Sequence, residues 1–317
     1  MALPTAQSGM LDCGLPFAKI GDGGAPLVVL DSFRVEHRTA DGLVLQGMMS
    51  AYEPYTEAGR TVYLLERPIE MPIDYTFDDM RDDYIAGLAE VAAGTGGGLD
   101  VIGVGAGGMF ALAVAAELGR RGREGRPSPL LRRQAIVAAA PRMSERARVA
   151  AARWQSAAEK LRWRAVHREI VAMSYTGSAA LFYGALAWAF PGLQGTSDYP
   201  WDFAITVREV ANADLSERLT DVQVPTLFLA GAADRLFSSD EIADAAARVP
   251  GGESRILPRA GHAIVKSRRR MVERAILRFL SDSSMSDQSM PRPVPRRTRR
   301  SRAASETSPR HSSGNTR

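Results

Sequence analysis

Val101-Ile102-Gly103-Val104-Gly105-Ala106-Gly107-Gly108-Met109-Phe110 is the stretch that decides the fold. Residues 99–102, which lead into it, predict a buried strand. Four glycines then crowd a turn, and residues 109–118 predict a helix that Gly119 should stop. A buried strand feeding a helix through a glycine turn is the unit of an α/β sheet. The flanking sequence repeats that unit. Residues 17–20 and 27–30 predict two short strands joined by Gly21-Asp22-Gly23-Gly24, a turn built for positive φ. Residues 61–65 predict a third strand, closed by Arg67-Pro68. Residues 76–93 predict an amphipathic helix with Phe77, Met80, Tyr84, Ile85, Leu88 and Val91 on one face. Thr76 is its N-cap, and Asp78 and Asp79 suit its positive end. Strands follow at 135–140, 226–230 and 255–257. This alternation predicts a mostly parallel, doubly wound sheet covered by helices on both faces.

Between residues 144 and 214 the alternation stops. This stretch is helical by pattern and holds all four tryptophans, Trp154, Trp163, Trp188 and Trp201, with Phe182, Tyr183, Phe190, Tyr199 and Phe203. It is expected to form a helical cap whose aromatics either make its own core or line an apolar pocket. The expected organisation is a flexible N-terminus at 1–14, a core at 15–143 and 215–281, the cap at 144–214, and a disordered basic tail at 282–317.

Composition narrows the classes. Hydrophobic residues make up 45% and charged residues 24% of 317, which suits a globular protein. No apolar run is long enough for a membrane span, and the first residues do not read as a secretory signal. A lone cysteine, Cys13, fits a reducing, cytoplasmic setting and an incidental thiol. The net charge of +4 comes from the tail. Residues 286–317 carry eight arginines against Asp287 and Glu306, which leaves the remainder slightly acidic. The excess of Arg over Lys, 37 to 3, fits a coding bias better than nucleic-acid binding.

Three segments stand in a suggestive chain order. The glycine turn comes first. The segment 224–235 is a strand whose exit loop presents Asp234. The loop Pro258-Arg259-Ala260-Gly261-His262-Ala263 then presents a histidine 28 residues later. His37 and His167 read as surface residues. Over roughly residues 15–281 this pattern resembles the α/β-hydrolase superfamily, whose triad runs Ser, Asp or Glu, His, with the serine on a strand-to-helix turn. The resemblance implies Asp234 as the acid and His262 as the base. It puts Gly105 at the nucleophile position, so no acyl-enzyme can form there. It also implies oxyanion-hole N–H groups at Ala106 and Phe33, with the Asp31 carboxylate beside them opposing a developing oxyanion. Neither cofactor nor metal is implied. The expected partner is a small apolar molecule or an ester-like substrate. The expected activity is altered hydrolase or lyase chemistry through water activation, or none at all. Gly103, Gly105 and Gly108 also spell G-x-G-x-x-G, which keeps an NAD(P)-binding oxidoreductase as the alternative. Against it, residues 138–141 lack the acidic residue that would hold a ribose, and strands precede a fingerprint that usually opens such a domain.

Overall fold

A computed structural model describes residues 4–31, 34–35, 38–189 and 199–281. Eight strands form one sheet in the order β1-β2-β4-β3-β5-β6-β7-β8. In chain order they are β1 (Ala6–Met10), β2 (Pro16–Ile20), β3 (Ala25–Leu30), β4 (Arg60–Leu65), β5 (Leu99–Val104), β6 (Leu131–Val137), β7 (Thr226–Gly231) and β8 (Gly252–Leu257). β1–β2 and β2–β4 pair antiparallel, and the rest of the sheet is parallel.

Helices cover both faces because the central strands are apolar on both. Successive side chains of a strand point to opposite faces. Val28 and Leu30 of β3 therefore join one core with Val101, Ile136 and Phe228, while Leu27 and Val29 join the other with Ile102, Val104 and Val137. The first core is covered by α2 (Phe77–Thr95), α3 (Ala106–Arg123) and α8 (Ser239–Arg248). The second is covered by α1 (Gly42–Glu57) and α10 (Arg269–Ser281), which follows the short α9 (Ile264–Ser267). Thr76 caps α2 as its sequence predicts. Its hydroxyl accepts from the Asp79 N–H, and the Asp79 carboxylate accepts from the Thr76 N–H.

The stretch between β6 and β7 is helical, as expected: α4 (Glu145–Glu159), α5 (Trp163–Ser174), α6 (Gly177–Ala189) and α7 (Pro200–Asn212). Its aromatics divide. Trp154, Trp163 and Phe203 are buried in the first core, with Trp163 edge-on to Phe203 at 5.8 Å. Phe182 and Trp201 are exposed. The Asp202 carboxylate ties the insertion to the loop after β4, accepting from the Glu70 and Met71 N–H groups at 2.8 Å each.

Four expectations need correction. Residues 17–20 and 27–30 do not pair with each other, because β4 lies between them; the glycines at 21, 23 and 24 do take positive φ. Part of the supposedly flexible 1–14 segment is an edge strand, since Ala6–Met10 completes its backbone hydrogen bonding on β2. Gly119 does not stop α3. It lies inside the helix where a Cβ would stand 1.8 Å from the Asp221 carbonyl oxygen, so close approach explains the glycine. The strand predicted over 135–140 ends at Val137, and Ala138 turns away with φ 51°. Among the described residues, no helix is long and apolar enough to cross a membrane. The predicted tail at 282–317 lies outside the described residues, as does Phe190.

Candidate active site

Gly105 sits between β5 and α3 with φ 55° and ψ −122°. That region is nearly closed to residues carrying a Cβ. The neighbouring glycines have a different reason to be there. A Cβ on Gly103 would lie 2.6 Å from the Gly108 Cα. One on Gly107 would lie 2.1 Å from the Leu30 carbonyl oxygen, and one on Gly108 would lie 2.5 Å from the Ala139 Cβ. These three glycines let α3 descend onto the ends of β3, β5 and β6. Gly103, Gly105 and Gly108 match the spacing of a dinucleotide fingerprint, yet Gly103 and Gly108 are used up in protein packing.

Backbone hydrogen bonds align the loops at the carboxyl edge of the sheet. The Gly105 N–H donates to the Val137 carbonyl at 2.9 Å, and Ala138 N–H donates to Leu229 at 2.7 Å. The Ala233 N–H donates to Ala260 at 2.8 Å, linking the loop after β7 to the loop after β8. This last link brings Asp234 and His262 together. Their Oδ2 and Nδ1 atoms are 3.0 Å apart, with the Asp234 side chain fully buried and that of His262 11% exposed. The second carboxylate oxygen accepts from the Leu236 and Phe237 N–H groups at 2.8 and 3.1 Å. Asp234 is therefore held at both oxygens, and its hydrogen bond assigns the proton of neutral His262 to Nδ1. Nε2 is left as the acceptor, without a partner among the described residues.

The helical insertion reaches this site. The Ala263 N–H donates to the Ser174 carbonyl at the end of α5, and an Arg235 Nη1–H donates to Ala172. Ala106 is the first residue of α3 and is buried, so its N–H belongs to the orphan donors at the positive helix end. Phe33, expected to supply a second donor, lies outside the described residues, as does His37. His167 lies on α5. Cys13 is exposed, and burial of its surroundings raises its thiol above the ordinary value, so it is not an activated thiolate.

A charged cluster beside the site was missed in the sequence. Glu66 and Arg67 leave the end of β4 next to Asp31 and Arg34. Glu66 is buried and pairs with Arg34 at 2.8 Å, and an Arg67 Nη2–H donates to the Arg34 carbonyl. Desolvation raises the Glu66 carboxyl above its ordinary value, with Arg34 opposing that shift. The available signal was a Glu-Arg pair set directly against the end of a buried strand. Asp31 lines a pocket between α1 and α10. Among the described residues, no group of three or more His, Cys, Asp or Glu side chains could hold a metal.

Comparison with known proteins places the fold. The alpha/beta hydrolase family matches residues 46–275, more than half of the chain. The fold resembles MGS-M2, an alpha/beta hydrolase enzyme from a Medee basin deep-sea metagenome library, with a TM-score of 0.68 and 14% identity over 85% of this chain and 95% of that one. It also resembles the enol-lactonase from Burkholderia xenovorans, with a TM-score of 0.64 and 16% identity over 87% and 100% of the two chains. A thermophilic esterase from Thermogutta terrifontis gives 0.63 and 20% identity over 88% and 98%. No curated protein matches the chain significantly. The dinucleotide alternative gains no support from the topology or from these likenesses. With its strand order, its strand-to-helix turn at Gly105 and the family match over most of its core, the chain belongs to the alpha/beta hydrolase family.

Proposed function

We propose that this protein carries out non-covalent general-base chemistry on a small, mainly apolar ester or lactone. The supporting observation is the His262–Asp234 pair at 3.0 Å, on loops at the same carboxyl edge of the sheet as the Gly105 turn. The Leu236 and Phe237 N–H groups on the other Asp234 oxygen hold the carboxylate in place against His262. Without a serine, water takes the place of the nucleophile. Its oxygen attacks the carbonyl carbon as its proton passes to His262 Nε2. The imidazolium is stabilised by Asp234. The tetrahedral oxyanion, facing the Ala106 N–H, collapses and expels the alkoxide, which takes the proton back from Nε2. The products are an acid and an alcohol, and the histidine returns to its starting state. Proton transfer of this kind contributes about 10²–10⁴-fold, far less than a full triad with its nucleophile. Slow turnover is therefore expected.

A panel of activated esters and lactones, measured with the wild type and with His262→Ala, tests the reading. The wild type should turn over at least one member, and His262→Ala should lose about 10²-fold or more. Equal rates for both proteins, or no turnover of any member, would leave a binding protein on a hydrolase frame.

A further inference from the structure

The second core is not fully closed. Between α1 and α10 lies a pocket of about 530 Å³, within the range of small-molecule sites. Its floor is Leu64, Ile102, Val104 and Val137 of the sheet. Two features of α1 keep it open. Gly47 and Ala51 line the pocket one helical turn apart, and a Cβ on Gly47 would meet nothing within 4 Å. The pocket lies across the sheet from α3. Val104 directly precedes Gly105 and Val265 follows His262 by three residues, but neither Gly105 nor His262 lines it.

The wall chemistry defines what fits. Its arginines are neutralised: Arg34 pairs with Glu66 at 2.8 Å and Arg269 with Glu273 at 2.6 Å. Asp31 and Lys266 also line it and are of opposite sign. Tyr52 and Tyr55 line the pocket as well, with their ring centroids 6.0 Å apart. Desolvation holds both phenols protonated, far above the ordinary value. We infer that this pocket binds an uncharged, predominantly apolar small molecule with one oxygen acceptor, which takes a hydrogen bond from Tyr52 or Tyr55. The inference does not depend on the proposed chemistry, and Tyr183 of α6 completes the lining.

The neutral ketone probe 6-propionyl-2-(dimethylamino)naphthalene, with one carbonyl oxygen, tests this on the full chain. Its fluorescence should rise on binding, and 1-decanol should displace it while decanoate and decyltrimethylammonium do not. Gly47→Leu fills open space on a helix, so it should fold with an unchanged or higher melting temperature and weaken the probe at least tenfold. His262→Ala should bind as the wild type does, which separates this site from the catalytic reading. Should Gly47→Leu fold poorly, Ala51→Leu serves the same purpose. Undiminished probe binding in a folded Gly47→Leu protein overturns the inference. Displacement by decanoate as readily as by decanol overturns the uncharged class.

Discussion

Restoring a hydroxyl at the turn gives the sharpest mutational test. Gly105 has φ 55° and ψ −122°, and a serine there pays for a sparsely populated backbone conformation. Such a residue costs about 1–3 kcal/mol. In a core of this size each kcal/mol lowers the melting temperature by about 2–4 °C. Gly105→Ser should therefore melt roughly 2–12 °C lower. The gain is chemical. With His262 Nδ1 held by Asp234, Nε2 is free to take the serine proton. A fluorophosphonate reports this directly, because the serine oxygen displaces fluoride from phosphorus as its proton leaves for the histidine. The wild type should not be labelled. Gly105→Ser should be labelled, and the Gly105→Ser/His262→Ala double variant should lose nearly all of that labelling. A folded Gly105→Ser protein that stays unlabelled would refute the idea that only the nucleophile is missing. Strong labelling of the wild type would mean that another residue, such as Ser32, has replaced it.

Other predictions rest on packing and local chemistry. Gly107→Ala should destabilise by about 1–3 kcal/mol or more, because its Cβ would lie 2.1 Å from the Leu30 carbonyl oxygen; chemical denaturation reads the loss, and an unchanged midpoint would show that β3 and α3 are less tightly joined. Thr76→Ala removes the hydroxyl that accepts from the Asp79 N–H and should cost about 1 kcal/mol by the same assay. Glu117 is held at about 2, below its ordinary 4.5, chiefly by its hydrogen bond from Arg120. A depressed carboxyl contributes stability above its unfolded value and loses it as pH falls. Between pH 4.5 and about 2 the melting temperature of Glu117→Gln should therefore fall less than that of the wild type, and the difference should shrink at high salt.

The sheet was legible because its central strands are short apolar runs ended by glycine, proline or polar loops. Asp234 and His262 were legible because each follows such a strand in the family's order. What the sequence hid was mostly non-local. The placement of β4 between β2 and β3 follows from pairings between residues 35 to 48 apart, which a glycine turn cannot report. Helix α1 carries Gly42, Gly47 and Pro54, so its propensity is poor; burial of Met48 and Tyr55 against the sheet holds it in place. Gly119 looked like a helix stop because the Asp221 carbonyl that presses on it comes from 102 residues away. The Arg34–Glu66 pair was hidden for a similar reason, since neither residue reveals its partner locally.

The central claim is that catalysis here proceeds without a covalent intermediate. Rapid-quench intact-mass analysis of the wild type during turnover of its best ester or lactone tests it most directly. The protein mass should stay unmodified throughout, with no burst of alcohol release before the steady state, and the steady rate should depend on His262. An acyl adduct that forms and decays at the turnover rate would contradict the account.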